Sequence, residues 1–562
     1  MHELEEGAPP DRSSPVLWTG FAAPITAAVL ATAAVVMGWH GVDLPAQLYR
    51  VGLFHRSGLT LWDSQWYSGH WTLSYSVIFP PIAGVIGVEL TEVASAALAA
   101  WAFDRLVVNH FGPSARIGSM LFAAGTLAQV AIGQLPFLLG EALALSAYWA
   151  ATTAFTVGGR RPPTAPRTAT AFGPRRPATA FGPRRPGRGR ARLAVILGVA
   201  AVLASPLAGA FLVLVAASWL VVSWPRRRVG LMLLVAVPSA VVLGLGLVFP
   251  GEGAMPFPLV DFLQFSGVVA LVLVLVPRHE RGVRLAAAFY LAATVASFVL
   301  PTPVGGNISR LGECLGAPLA ACLLWPHRRI VLTALVIPLQ VMQWKPAFAT
   351  FPTDRRDLSA SASYFTPMLA FIGDHREPLG RVEIVPTRLH WEAAYAAPAV
   401  PLARGWERQL DTAYNPLFYR PGGLSPATYR AWLADNGVRY VALPDVALDY
   451  AGQAEARLVD AGVPGLRLVW SDPHWRVFEV EQSSGIVEGP ARLVRLKGDA
   501  VVLSVTSPGP VLVRIRFSAR WAVVAGHASL RATAGDWTEL DACRAGEVRL
   551  QLHLLGAGQE AC

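Results

Sequence analysis

The chain has 562 residues, of which 53% are hydrophobic and only 15% are charged, and its mean hydropathy is +0.43. A soluble protein carries about 25% charged residues, so this composition excludes an ordinary soluble protein and dominant disorder. The net charge of +10 would suit a nucleic-acid binder, but ten arginines and no acid lie within residues 158–192, between apolar runs. We therefore predict a membrane protein with a basic loop beside the lipid and no nucleic-acid partner.

Apolar runs of about twenty residues, the length that crosses a bilayer as a helix, predict about eleven spans within residues 17–344. The predicted spans are 17–39, 90–108, 116–133, 135–157, a hairpin of two helices within 193–224 that is broken at Ser205-Pro206, 229–249, 259–277, 283–301, 310–325 and 329–344. Residues 76–89 contain Pro80 and Pro81, and we expect them to form a short re-entrant or interfacial segment.

Arginine positions predict the orientation of these spans in the plasma membrane. If the N-terminal tail, residues 1–16, is cytoplasmic, the cytoplasmic loops hold twenty arginines and the opposite loops hold three. This bias follows the positive-inside rule and places everything after Trp344 outside the cytoplasm. The 158–192 loop contains an exact duplication, ATAFGPRRP at 169–177 and again at 178–186, and we predict that it is disordered.

After residue 344 the pattern changes to short strands punctuated by Pro and Gly. Residues 345–482 mix helical and strand patterns, which predicts an α/β domain. Residues 483–562 show strand patterns alone, which predicts a β-sandwich. Because both domains are expected outside the cytoplasm, where disulfides form, Cys543 and Cys562 are predicted to pair.

The densest group of polar and aromatic residues lies between the first two predicted spans. Its two carboxylates, Asp43 and Asp63, are candidate catalytic bases. Its candidate substrate-binding residues are Arg50, His55, Trp62, Trp66, Tyr67 and His70. An ordinary interfacial belt of aromatic residues with capping aspartates is the alternative, although such a belt needs no cluster of His and Asp.

A second candidate group begins at a Gly-rich loop, PVGGNISRLGE at 303–313, that runs into the tenth span. Asn307 and Ser309 could cap this helix, and Arg310 at its N-terminus would form an anion site at the depth of a lipid phosphate. Asn307, Arg310 and Glu313 are therefore candidate binding residues. An internal ion pair between Arg310 and Glu313 is an equally weighted alternative.

The chain resembles the GT-C class of integral-membrane glycosyltransferases in four features. These are the Asp-bearing first outer loop, its WDSQWY run at 62–67, the mid-chain hairpin and the soluble C-terminal region. The resemblance covers roughly residues 15–345. It implies a GT-C-like polytopic fold, a lipid-phosphate-linked sugar donor, an acceptor on the outer face and an essential acid in the first outer loop, which maps onto Asp43 or Asp63. The C-terminal region is similar to accessory domains of actinobacterial cell-envelope transferases.

The sequence thus predicts an inverting glycosyltransferase that uses a polyprenyl-phosphate sugar and a cell-envelope glycan or lipid acceptor. The first outer loop contains no paired acids, which leaves the identity of the base and a need for a divalent metal open. Two motifs of the C-terminal region, at 388–392 and 403–411, mix charged and aromatic residues. Such a mixture is typical of carbohydrate-binding surfaces and equally of stabilising networks, and both interpretations stay open. A transporter or lipid-handling protein, and a non-catalytic glycan-binding scaffold, are the rival functions.

Overall fold

The computed structural model describes residues 20–39, 41–154, 188–223, 228–251, 253–325, 328–354, 357–375, 377 and 379–554. The disorder predicted for 158–192 is wrong at residues 188–192, which begin the helix Arg188–Ala204. Three predictions concern residues outside these ranges: the cytoplasmic N-terminal tail, the disorder of the rest of the 158–192 loop with its duplication at 169–186, and the pairing of Cys562 with Cys543. These three stay predictions.

The described residues of 22–354 form a multi-pass membrane domain made mostly of apolar helices. The helices are α1 (Ala22–Val36), α2 (Leu44–Ser57), α3 (Phe79–Ile86), α4 (Val88–Phe111), α5 (Arg116–Ile132), α6 (Leu135–Ala154), α7 (Arg188–Ala204), α8 (Pro206–Val222), α9 (Arg228–Val248), α10 (Leu259–Leu275), α11 (Arg281–Val299), α12 (Arg310–Leu324) and α13 (Arg329–Asp354). Among the described helices, five are long and apolar enough to cross a bilayer, and the bent pair α3 and α4 gives a sixth. The predicted total of eleven spans is not established, because α1, α8 and α10 are apolar but shorter than eighteen residues.

Helices α3 and α4 meet at an angle of 113°. The bend falls at Gly87, whose φ of +92° lies in the region that favours glycine. Pro80 and Pro81 occupy the first turn of α3, where a missing N–H costs little. A short helix followed by a sharply turned long one agrees with the re-entrant or interfacial segment expected at 76–89.

Helices α7 and α8 pack against each other as an antiparallel hairpin around Ser205. A Cβ atom built on Gly198 would lie 3.5 Å from Cδ2 of Leu212, and one built on Gly209 would lie 2.3 Å from Cγ2 of Val202. Residues equally far from the break therefore face each other, which a continuous helix could not achieve. The hairpin predicted for 193–224 is confirmed.

The predicted boundary between the membrane domain and the α/β domain, at 344/345, falls inside a helix. Helix α13 begins at Arg329 and ends at Asp354. At Lys345 the composition of the sequence changes from apolar to mixed. The helix continues past this point because its backbone hydrogen bonds do not depend on an apolar surface.

The α/β lobe, which follows α13, contains a four-stranded sheet in the order β3-β4-β6-β5. Strand β3 (Arg381–Ile384) pairs parallel with β4 (Val438–Pro444), whereas β6 (Trp475–Val480) is antiparallel to β4 and to β5 (Leu466–Ser471). The helices of this lobe are α14 (Ala362–Asp374), α15 (Glu392–Tyr395), α16 (Arg408–Tyr414), α17 (Pro426–Asp435) and α18 (Gln453–Ala461). The mixed α/β pattern agrees with the sequence.

The β-sandwich lobe consists of two four-stranded sheets, ordered β12-β13-β10-β7 and β11-β14-β9-β8. The strands are β7 (Val487–Glu488), β8 (Ala491–Lys497), β9 (Ala500–Val505), β10 (Gly509–Arg516), β11 (Trp521–Ala525), β12 (Ala528–Ala532), β13 (Trp537–Ala542) and β14 (Gly546–Leu552). All pairs are antiparallel. Alternate residues of these strands fill one apolar core, as expected of a sandwich.

Residues 41–75, which we call the aromatic loop, connect α1 to α3 and contain α2 and a hairpin of β1 (Trp62–Asp63) and β2 (His70–Trp71). Backbone hydrogen bonds hold this hairpin against both lobes. The Ser64 N–H donates to the Gly498 carbonyl. The Gln65 carbonyl accepts from the Leu402 N–H, and the Ser68 carbonyl accepts from the Arg516 N–H. The lobes therefore clamp the tip of the aromatic loop.

Candidate active site

Asp43 and Arg310 lie together where the aromatic loop meets α12. Asp43 directly precedes α2, and Arg310 is the first residue of α12. Nη2 of Arg310 is 3.5 Å from Oδ2 of Asp43, and its guanidinium lies 5.5 Å from the ring of Phe137 on α6. The N–H of Asp43 donates to the carbonyl of Ile132, which fixes the aspartate beside the end of α5. Two charged groups from distant segments are thus brought into one ion pair.

The Asp43 carboxylate is buried, and its Oδ2 makes no hydrogen bond with the described residues. Burial raises the pKa of Asp43, and the positive charges of Arg310 and Arg50 oppose that rise. A carboxylate whose pKa is raised and whose oxygen is free for a further hydrogen bond has the properties of a general base.

Among the described residues Arg310 does not form the ion pair with Glu313 that was one of its two interpretations, and its role as an anion site stays a prediction. Its ion pair is with Asp43, whereas Oε1 of Glu313 accepts a hydrogen bond from the Ser309 hydroxyl at 3.0 Å. The expectation that Ser309 caps α12 is wrong, because its side chain makes no capping bond. Asn307 lies in the short 3₁₀-helix Gly305–Ser309 just before Arg310, where its N–H donates to the Val304 carbonyl.

Arg50 connects the aromatic loop to the α/β lobe. Its Nη2 lies 2.5 Å from Oε1 of Glu407, the residue that precedes α16, and both side chains are buried. The Arg50 guanidinium also lies 4.0 Å from the ring of Tyr75. The hydroxyl of Tyr67 donates to the backbone carbonyl of Glu407 at 2.9 Å. Glu407 is therefore held by two residues of the aromatic loop.

A cleft with an empty volume of about 530 Å³ opens between the aromatic loop and the α/β lobe. Its lining combines aromatic rings with polar groups: Trp62, His70, Trp71, Ser74, Tyr75, Pro250, Gly251, Pro303, Glu407, Gln409, Leu410 and Tyr414. Tyr75 links the cleft to Asp43. Burial, and after it the Asp43 charge, raises the pKa of Tyr75, and its hydroxyl accepts a hydrogen bond from Gln47 one turn into α2.

His70 and Trp66 are stacked inside the aromatic loop. Their ring centroids are 5.6 Å apart, and Tyr49 stacks on the other side of Trp66 at 4.3 Å. Nε2 of His70 lies 3.8 Å from Oε1 of Glu407, whereas its Nδ1 is buried without a hydrogen-bond partner among the described residues. The loop thus carries a buried histidine with one free ring nitrogen at the cleft.

Asp63 lies away from the cleft, which makes it a poor candidate for the base. It is fully buried in β1, and its Oδ2 accepts a hydrogen bond from the Tyr49 hydroxyl at 2.7 Å. Its Oδ1 accepts one from the N–H of Gln65 at 3.1 Å. Both oxygens therefore hold the β1–β2 hairpin on α2.

His55 and Trp62, two other predicted binding residues, make contacts that stabilise the fold. His55 is exposed at the end of α2, where its Nε2 lies 2.9 Å from the Gly84 carbonyl of α3. The ring of Trp62 packs into the sandwich core, with its centroid 6.2 Å from that of Trp521, although it also lines the cleft. The described residues bring Asp43, Arg50, His70 and Arg310 near the cleft, and they leave His55 outside it.

The 403–411 motif is divided between the two roles expected of it. Arg404 forms buried ion pairs with Asp411 at 2.6 Å and Glu455 at 3.1 Å, which stabilise the α/β lobe. Glu407 is not part of this network and pairs with Arg50 instead. The Trp406 indole N–H donates to the Val42 carbonyl at 2.8 Å. Sequence reasoning singled out this motif but did not connect it to the aromatic loop.

Within the described residues, no group of three or more His, Cys, Asp or Glu side chains is arranged to hold a metal ion. Glu407, the carboxylate that lines the cleft, and Asp43 each face a guanidinium, of Arg50 and of Arg310. A divalent metal has no ready ligand set among these residues, so we assign no step of the mechanism to one.

No protein-family model matches the sequence, and no curated protein matches it either. The structure is similar to ArnT from Cupriavidus metallidurans bound to undecaprenyl phosphate, with 13% identity, a TM-score of 0.38, and coverage of 84% of this chain and 98% of that one. The apo state of ArnT gives 14% identity, a TM-score of 0.36, and coverage of 81% and 98%. ArnT is a GT-C glycosyltransferase, the class to which the sequence is similar. Because both TM-scores are below 0.5, we argue function from contacts within this chain.

Proposed function

We propose that the protein is a membrane glycosyltransferase that transfers a sugar from a polyprenyl-phosphate donor to a hydroxyl of a cell-envelope glycan or lipid. The observation that carries the proposal is the Asp43–Arg310 pair: Oδ2 of a buried carboxylate makes no hydrogen bond and lies 3.5 Å from a guanidinium at a helix N-terminus. These are the two groups that sugar transfer from a phosphate requires, a base for the acceptor and a positive charge for the leaving group.

In the proposed reaction, Asp43 removes the proton from the acceptor hydroxyl as its oxygen attacks the anomeric carbon. A new C–O bond forms while the bond between that carbon and the phosphate oxygen breaks, and the electron pair stays on the departing polyprenyl phosphate. Attack opposite the leaving group inverts the configuration at the anomeric carbon. Arg310 stabilises the negative charge that builds on the phosphate.

The position of Arg310 supports its proposed role. At the N-terminus of α12 the Arg310 N–H donates to the Asn307 carbonyl and the Gly312 N–H donates to the Tyr290 hydroxyl, so the positive potential there comes from the helix dipole and the guanidinium. A guanidinium at such a point suits a phosphate. Tyr290 belongs to the membrane helix α11, and this contact supports the approach of a lipid phosphate from the bilayer.

Of the two candidate bases, the contacts favour Asp43. Both oxygens of Asp63 accept hydrogen bonds inside the loop, whereas Oδ2 of Asp43 accepts none and faces Arg310 at 3.5 Å. Burial also raises the pKa of Asp43, which makes its carboxylate a stronger base. Asp63 is therefore the matched control for the test of Asp43.

The test measures transfer by the purified protein from polyprenyl-phosphate donors that carry different labelled sugars, together with retention of a labelled prenyl phosphate. Asp43→Asn should lower turnover by about 10²-fold or more with little effect on retention, since the base acts in the transition state. Arg310→Ala should weaken retention itself. Asp63→Asn should keep turnover per folded molecule and lower thermal stability.

If Asp43→Asn keeps full turnover while Asp63→Asn loses it, the base assignment is wrong. A transporter would move substrate without giving a glycosidic product from any donor. A glycan-binding scaffold would give neither flux nor product. Either result would contradict the proposed function.

A further inference from the structure

The cleft between the aromatic loop and α16 is separate from the Asp43–Arg310 pair, since neither residue lines it. Its two walls come from different parts of the chain. His70, Trp71 and Tyr75 belong to the aromatic loop, whereas Glu407 and Tyr414 belong to the α/β lobe.

Two polar atoms of the lining are buried without hydrogen-bond partners. Nδ1 of His70 and Nε1 of Trp62 have none among the described residues, and each side chain is only 4% exposed. A buried polar group without a partner costs about 1–3 kcal/mol, so native structures satisfy nearly all of them. Trp62 is packed in the sandwich core, so Nδ1 of His70 is the atom of the lining that a ligand hydroxyl would satisfy.

The rings in the lining are held by other side chains. The centroid of Trp71 lies 4.8 Å from that of Trp62 and 5.4 Å from that of Phe249, and Arg516 lies 4.0 Å from the ring of Tyr414. Rigid rings beside hydrogen-bonding groups suit a ligand with apolar C–H faces and polar edges. A pyranose or furanose ring has both.

The charges in the cleft favour an uncharged ligand. Glu407 is neutralised by Arg50, whose Nη2 lies 2.5 Å from Oε1. An additional carboxylate on the ligand would meet Glu407, and an additional cation would meet Arg50. A neutral hydroxyl can instead hydrogen-bond the free oxygen of Glu407 and Nδ1 of His70 without disturbing the ion pair.

We propose that this cleft binds an uncharged sugar ring, with His70 and Glu407 hydrogen-bonded to its hydroxyls and Trp71 and Tyr414 packed beside it. Sugar binding as such is independent of catalysis. The further assignment of the ring to the acceptor rests on the proposed function and on Tyr75, which lines the cleft and whose hydroxyl accepts a hydrogen bond from Gln47, one turn beyond Asp43 on α2.

The experiment uses the full chain in detergent and three soluble neutral trisaccharides, maltotriose, cellotriose and mannotriose, as probes. Binding is measured by saturation-transfer NMR and by quenching of tryptophan fluorescence. We expect at least one probe to bind saturably to the wild type. His70→Gln should weaken that binding by tenfold or more, and His375→Gln, at an exposed histidine of the α/β lobe, should not change it. Absence of saturable binding by all three probes would overturn the proposal.

A second variant keeps the test decisive if His70→Gln does not fold. Ser74→Phe adds a ring inside the cleft without touching His70 and should abolish binding. Wild-type binding by either folded variant would overturn the proposal.

Retention of the labelled prenyl-phosphate sugar distinguishes the two sources of the ring. If the ring belongs to the acceptor, His70→Gln retains the donor as the wild type does. If His70→Gln no longer retains the donor, the sugar ring in the cleft belongs to the donor and the acceptor assignment is wrong. Trisaccharide binding without transfer from any donor would refute the proposed function and leave the sugar site standing.

Discussion

Arg50 and Glu407 are 357 residues apart in the chain and form one buried ion pair, with 2.5 Å between Nη2 and Oε1. The arginine belongs to the helix that follows Asp43, and the glutamate begins the helix that forms one wall of the cleft. A charged hydrogen bond of this length is among the stronger polar contacts in proteins. The pair therefore fixes the α/β lobe against the aromatic loop at the level of the candidate active site.

Glu407→Gln should lower the free energy of unfolding by about 3–5 kcal/mol, because it leaves the Arg50 charge buried without its partner. The double variant Arg50→Met/Glu407→Leu should recover most of this loss, since it removes both charges. Asp460→Asn is the matched control. Asp460 pairs with Arg476 at 2.6 Å, but both side chains are about half exposed, so its loss should cost about 1 kcal/mol or less. Denaturant unfolding of the purified protein measures all three, and equal effects of the single variants would contradict the prediction.

His390 should make the stability of the α/β lobe depend on pH. Burial opposes protonation of this histidine, but hydrogen bonds and charges from Asp449 and Glu392 prevail and raise its pKa to about 9. Nδ1 lies 3.0 Å from Glu392, and Nε2 lies 3.6 Å from Asp449 and 3.4 Å from Nη2 of Arg408.

Because the folded pKa is above the unfolded value of about 6.5, the protonated histidine stabilises the fold fully below that value, and the contribution is lost as pH rises through about 9. The loss should amount to about 3 kcal/mol. Unfolding measured between pH 6 and pH 10 should show it in the wild type and a flatter profile in His390→Gln. Parallel profiles would exclude His390 as the cause.

The arginine bias predicts that the candidate active site faces away from the cytoplasm. A periplasm-active reporter that replaces the chain after Ala360 should be active, and the same reporter inserted between residues 177 and 178 should be silent. A cytoplasm-active reporter should give the reverse at both positions. Cytoplasmic activity of the Ala360 fusion would invert the whole orientation.

The sequence singled out Asp43 as an acid in a polar and aromatic group after the first span, and Arg310 as a charge near the membrane boundary. It could not show that they pair, because Glu313 on the next turn of the same helix was an equally plausible partner. Asp63 stood out equally, and its burial depends on the two lobes that clamp the loop. Such contacts are invisible in a local pattern.

Buried partners within the membrane domain show the same limit. Oε2 of Glu141 on α6 accepts a hydrogen bond from Nε2 of Gln129 at 2.8 Å, from the preceding helix. Periodicity defined both helices, α5 and α6, within a few residues. Their rotation relative to each other, which decides which amide meets the carboxylate, is set by packing and not by the pattern of either helix.

The hydroxyl of Ser64 donates to the carbonyl of Gly498, 434 residues further along the chain. During synthesis the aromatic loop leaves the ribosome long before the sandwich that clamps it, so the hairpin has no lasting partner until the last lobe has folded. Contacts of such long range form late. The candidate active site is therefore completed at the end of biogenesis, and a nascent or truncated chain, though already inserted in the bilayer, carries its charged residues without the arrangement that would make them reactive.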